Sequence, residues 1–249
     1  MASQPDISSD MTSTQDIAMD GHVHLQRDMP WDRIAANFER AAPGHLHVCL
    51  IVESAGVDRF AELERTNQRW GELGLRDEAT GLHFIAGRQV VSAEGLEVLH
   101  IGSRDQSLEG APADRVIAAG LDRGAAVCLP WGFGKWLGER RRLAHELFAR
   151  LSHQILLGDI TNRPALWHEP MFAGERVLRG SDNLPMAGSS DSVGAFGSTL
   201  QANSAPIGAQ DIIAMLRNRT VPLTPYGQRK SARASVGEQL RLRLAKGGR

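Results

Sequence analysis

Apolar residues along this chain come in short runs that alternate with amphipathic stretches. Residues 17–20 predict a first strand, which delivers Gly21, His22 and His24 at its end. Residues 32–42 place Ile34, Phe38 and Ala41 on one helical face, and Pro43–Gly44 ends that helix. Residues 47–52 (HVCLIV) read as a fully buried strand, and residues 58–73 as a helix with Phe60, Leu63, Asn67 and Trp70 at helical spacing. Strands follow at 82–85 and 96–101, joined by GRQVVSAEG, then a helix at 114–122 and a strand at 125–129 ending at Pro130–Trp131. A helix at 135–151, a strand at 154–157 running into GDITNRP and a strand at 176–178 running into RGSDNLP complete the pattern.

Near-continuous apolar strands alternating with helices imply a parallel sheet covered by helices. A barrel and an open doubly wound sheet both fit. Two features favour the barrel. No GxGxxG follows the first strand. Polar residues also stand directly after several strands: His22 and His24, Glu53, Gln89, Lys135, Asp159 and Asp182. In a barrel such strand ends converge on one mouth, where chemistry is assembled. The expected fold is therefore α/β, a distorted TIM-like barrel of parallel strands with roughly seven or eight β/α units. It spans residues 17–185, after a disordered polar lead over 1–16 and before a loop and basic helical extension over 186–249 packed on the barrel.

A chain of 249 residues can bury a core without disulfides. Cys49 and Cys128 both lie inside apolar runs and read as buried, inert thiols, with no close Cys/His spacing for a zinc knuckle. The first 16 residues lack the basic and apolar regions of a signal peptide, and no apolar run is long enough to span a bilayer. The expected location is cytoplasmic. A net charge of −1 hides an asymmetry, because residues 217–249 carry nine Lys/Arg against one acid, Glu238. That tail fits a helix with Val236, Leu240 and Leu244 on one face, docked on an acidic exterior. Binding of nucleic acid or a protein partner is the lesser reading, since Tyr226 is its sole aromatic residue.

The chemistry concentrates in DGHVHL. Residues i and i+2 of a strand point to one side, so His22 and His24 can grip one ion, and Asp20 shares their parity and could orient a ring. Zinc or manganese suits such imidazole ligands. Asp182 could close the site as a ligand or accept a proton from bound water, although Ser-Asp-Asn-Leu-Pro is also good turn chemistry. Asp159 is a further candidate ligand, or a helix cap. Asn162, Arg163 and Gln89 are candidate substrate contacts, Lys135 a catalytic or anion-binding group or a solvated one, and Glu53 a supporting carboxylate. Of the remaining histidines, His45 and His47 start a strand and His145 and His153 read as surface residues, while His100 ends a strand.

MDGHVHL, FIAGRQVVSAEGLEVLHIG and RGSDNLP together resemble the PHP family of metal-dependent phosphoesterases, over roughly residues 17 to 185. The resemblance implies an amidohydrolase-like barrel in which His22, His24 and Asp182 occupy ligand positions. Gln89 stands where that family places a metal-bridging Glu, and Leu129 and Leu184 stand where it places histidines. An amide holds cations far less strongly than a carboxylate. The resemblance thus implies fewer ions than a full PHP site and hydrolysis of a phosphoester or related polar ester or amide bond. The alternative is a catalytically decayed barrel that serves as a binding or scaffold module through its basic tail.

Overall fold

The computed structural model describes residues 14–132, 134–183, 188–203 and 207–229. The expected disordered lead and the expected tail helix fall on residues 1–13 and 230–249, outside the described residues, as does Leu184. Gln15 and Asp16, assigned to the lead, already belong to the first strand.

The chain runs β1 (Gln15–Val23), α1 (Trp31–Ala41), β2 (Leu46–Ile51), α2 (Phe60–Leu63), β3 (Gln68–Arg69), β4 (Gly74–Arg76), β5 (His83–Ile85), β6 (Gly87–Val91) and β7 (Glu97–Ile101). It continues through α3 (Ala113–Asp122), β8 (Ala126–Pro130), α4 (Gly138–Leu151), β9 (Ile155–Ile160), β10 (Val177–Gly180), β11 (Phe196–Ala202), α5 (Ala209–Arg217) and β12 (Thr224–Gly227). One sheet has the order β12-β11-β1-β2-β5-β4-β3, the other β10-β9-β8-β7-β6.

This corrects the barrel expectation. The strands form two mixed sheets of seven and five strands rather than a closed parallel barrel. Pairs β1/β2, β2/β5, β8/β9 and β9/β10 are parallel, whereas β1/β11, β6/β7 and β7/β8 are antiparallel. The reason is local. GRQVVSAEG does not merely join two strands: its first half is β6, and the turn at Gly95 (φ 76°) folds it onto β7 as a hairpin. Only five α-helices are described, too few for one crossover helix per strand.

Two further readings change. The helix expected over 58–73 stops after one turn. The Asn67 side chain bonds the Leu63 carbonyl at 2.9 Å, and the Trp70 N–H donates to Gly74 across the β3–β4 turn. The loop expected over 186–210 contains β11, in which Phe196, Ser198, Leu200 and Ala202 are buried at strand spacing. The strand lies antiparallel beside β1.

Strands β1, β2, β8 and β9 are buried on both faces over most of their length, which explains their unbroken apolar runs. Met19, Val48, Leu50, Leu99, Ala126, Cys128, Leu156 and Leu200 form a core shared by the two sheets, with Ile212 and Leu216 of α5 packed into it. The alternate residues Val127, Leu129, Ile155 and Leu157 pack with α3 and α4, and Ala18, Cys49, Ile51 and Phe84 pack with Ile34 and Phe38 of α1. Cys49 and Cys128 are free and buried as expected, and burial pushes both thiols up. Among the described residues no helix is long and apolar enough to cross a membrane.

Candidate metal centre

Two close backbone approaches build the site. A Cβ on Gly180 would lie 2.3 Å from the His22 nitrogen, so the end of β10 can run against β1 only because residue 180 has no side chain. The segment after β10 is then tied to HVH. The Asp182 N–H donates to the His22 carbonyl at 2.8 Å. The Asn183 amide bonds both main-chain groups of His24, accepting from its N–H and donating to its carbonyl, each at 2.8 Å. Asp182 holds φ 47°, a left-handed conformation that Asp and Asn tolerate better than other side-chain-bearing residues.

These ties bring three donor atoms together. His22 Nε2 and His24 Nε2 are 3.1 Å apart, and each lies 3.5 Å from Asp182 Oδ1. Ligand atoms around one tetrahedral zinc lie about 3.3 Å apart when each bond is ~2.0–2.1 Å, so the triangle fits a single ion. Hydrogen bonding alone accounts for it poorly. His22 Nε2 faces an imidazole nitrogen, the Asp182 carboxylate and Gln89 Oε1 at 3.1 Å, yet one ring nitrogen carries at most one hydrogen. Among the described residues this is the group of three or more His, Cys, Asp or Glu side chains with metal-holding geometry.

The electrostatics agree. Burial pushes the His22 imidazole down, against the pull of Asp182, and so favours the neutral ring whose lone pair a metal would take. Burial alone would raise the Asp182 carboxyl, but His22, His24 and Lys135 outweigh it and hold it well below the usual carboxylate range. The triad therefore presents two imidazoles beside one carboxylate anion.

A polar chain leads away from His22. The Gln89 amide nitrogen donates to Glu97 Oε1 at 3.1 Å, and Glu97 Oε1 also pairs with Lys135. Sequence reasoning missed Glu97 and Asn183. Glu97 becomes visible once β6 and β7 are read as a hairpin, because Gln89 opposes Leu99 and Val91 opposes Glu97, making Gln89 and Glu97 diagonal neighbours.

Several expected site residues stand elsewhere. Asp159, expected as a ligand, has both carboxylate oxygens engaged by Arg163 at 2.7 and 2.9 Å and one by Arg229 at 2.8 Å. Arg163, expected to meet substrate, is 3% exposed, held by that fork and stacked 5.0 Å over the Phe172 ring. Asn162 is buried beside it in sequence at 2% exposure, closed to a substrate arriving from solvent. Asp20 orients no ring. Its Oδ1 accepts from Ser181 N–H at 2.7 Å and His22 N–H at 3.3 Å, and its Oδ2 from Gly194 N–H at 3.0 Å. Nδ1 of His22 is buried with no hydrogen-bond partner. Glu53 accepts the backbone N–H groups of Arg59 and Phe60 and so caps α2. Lys135 lies at the rim, its side chain 40% exposed. His100 is fully buried, and a Cβ on Gly120 of α3 would meet its ring at 2.7 Å.

No family model and no curated protein matches this chain. Among solved structures, PsfC from Pseudomonas syringae PB-5123 superposes with a TM-score of 0.58 at 15% identity, over 91% of this chain and 97% of PsfC. That likeness shows a shared fold over nearly the whole of both chains. A two-domain protein from Bacteroides vulgatus ATCC 8482, described as containing a predicted PHP-like metal-dependent phosphoesterase, has a TM-score of 0.49 at 14% identity, over 88% of this chain and 66% of that one.

Proposed function

We propose that the chain is a metal-dependent hydrolase that uses His22, His24 and Asp182 to cleave a phosphoester or a related polar ester or amide bond. The observation that carries this reading is the donor triangle of 3.1, 3.5 and 3.5 Å. A divalent ion such as zinc or manganese, held by these three side chains, would supply Lewis acidity there and would bring the ionisation of water close to neutral pH. The residues supply the rest. Asp182 contributes the negative charge of the triad and a carboxylate oxygen able to take a proton. The Gln89 amide holds the His22 ring against rotation, and Glu97 in turn holds Gln89. Lys135, a half-exposed cation whose charge reaches Asp182, meets the anionic oxygens of the substrate. Two imidazoles and one carboxylate form a site for fewer ions than the resembled family's full set.

The test is hydrolysis of bis(p-nitrophenyl) phosphate, p-nitrophenyl phosphate and p-nitrophenyl acetate by protein loaded with zinc or manganese. The expected result is hydrolysis of at least one ester that is lost on chelation and in His24→Ala. Activity that survives both, or no activity on any of the three with either metal, counts against the proposal.

A further inference from the structure

The second concentration of charge lies on β9 and β10 and plays no part in the chemistry above. Asp159 and Arg179 are register partners in this parallel pair, so their side chains leave the same face of the sheet. Arg163 grips Asp159 with a two-pronged fork, Nε to Oδ1 at 2.7 Å and Nη2 to Oδ2 at 2.9 Å. Arg229, just beyond β12, adds a third bond to Oδ2 at 2.8 Å. One fully buried carboxylate thus stands among three guanidinium groups.

The charges do not balance. Among the described residues Arg179 has no carboxylate within ion-pair distance. Its guanidinium bonds the Val177 carbonyl at 3.2 Å, and the half-buried group is pushed down by desolvation, against the pull of Asp159, and further by Arg229 and Arg163. Among the described residues Nε of Arg229 is buried without a hydrogen-bond partner, in a side chain 26% exposed as a whole. A buried donor without an acceptor is costly, and more so when the group is charged. Excess positive charge in a desolvated place is relieved most directly by an anion. Guanidinium groups match the planar, multidentate geometry of phosphate and carboxylate oxygens.

We propose that Arg179 and Arg229, braced by the Asp159–Arg163 pair, form a binding site for a phosphate-type oxyanion, separate from the His22–His24–Asp182 group. None of the hydrogen bonds of these four residues among the described ones reaches that group. Asp159 plays the part of a spacer, consuming the Arg163 charge and holding the Arg229 side chain by one nitrogen, while its buried Nε is left without an acceptor among the described residues. The inference does not depend on hydrolysis.

Isothermal titration of inorganic phosphate into the metal-free full chain tests it, at constant ionic strength with acetate as the parallel titrant. The expected result is saturable binding of phosphate that is retained in the His22→Ala/His24→Ala protein and weakened about tenfold or more by Arg179→Gln and by Arg229→Gln, as expected for losing a charged hydrogen bond. Tighter binding of acetate than phosphate would overturn the assignment to a phosphate-type anion. Loss of binding in the histidine variant would place the anion at the metal centre instead and overturn the proposal. Equal affinity in wild type and Arg229→Gln, whose side chain lies at the rim, would also overturn it, as would no saturable binding in the wild type. Circular dichroism confirms that each variant is folded before it is scored.

Discussion

The main-chain N–H of Asp182 donates to the carbonyl of His22 at 2.8 Å, so the carboxylate and one imidazole of the candidate centre are joined through their backbones as well as through their side chains. The donor triangle is thereby fixed before any ion arrives, which limits the ordering cost of binding. The same arrangement separates the charge of Asp182 from its conformation. Asn tolerates the left-handed φ of 47° and keeps the backbone N–H, but its amide carries no negative charge. Asp182→Asn is therefore expected to leave the thermal midpoint of the metal-free protein within a few degrees of wild type while weakening zinc binding by at least about tenfold, a loss typical of neutralising a charged ligand. Competition against a chromogenic chelator measures the affinity, and unchanged affinity would remove Asp182 from the ligand set.

Asp20 is expected to matter for the fold rather than for the metal. Its two oxygens gather N–H groups from β1, from the turn after β10 and from the turn before β11, all in a fully buried place. Burial pushes its carboxyl up to about 6 despite those bonds. In Asp20→Asn one oxygen becomes an NH2 group that must face a backbone donor. Leaving such donors unpaired costs about 1–3 kcal/mol. Urea unfolding at neutral pH should show a loss of that size, and a variant as stable as wild type would contradict this role.

His83 makes the stability depend on pH. It packs edge-on against Trp70 at 4.4 Å, and burial, with Arg76 second, pushes its imidazole down from 6.5 to about 4. Between those values the unfolded chain binds a proton that the folded chain refuses. The contribution is present above pH 6.5 and is lost progressively as the pH falls toward 4. Between pH 7.5 and 5 it amounts to about 2 kcal/mol. His83→Phe keeps a ring against Trp70 and should flatten the decline in unfolding free energy over that interval by this amount. An identical decline in variant and wild type would show that His83 is protonated in the fold.

Much of the scaffold was legible because its strands are buried on both faces. HVCLIV and AAVCLP can be little else than interior strands, and β2 and β8 lie there. What misled was direction. A run such as FGSTLQA carries glycine and polar residues, and it reads as a loop until Ser198 is seen to spend its hydroxyl on the Val177 carbonyl and the Arg179 N–H. Without β11, and with β6 hidden inside a supposed connection, the remaining strands imitate the parallel pattern of a barrel. Of the centre, HVH is read from strand parity and Asp182 from its place after a late strand; the two come together, and Gln89, expected against substrate, meets His22 instead. Asp159 and Arg163 could not be placed correctly from sequence, because i and i+4 residues around a strand end can either face a common site or pair with each other, and here they pair.

An ion held by His22, His24 and Asp182 is the central requirement of the proposed chemistry, and elemental analysis of the protein after reconstitution with zinc or manganese and removal of excess metal measures it directly. The expected result is about one ion per chain, falling to background in His22→Ala/His24→Ala, since a site with three good ligands retains its metal through exchange into buffer. Background metal in the wild type after reconstitution with either ion, or an equal content in the double variant, would contradict it.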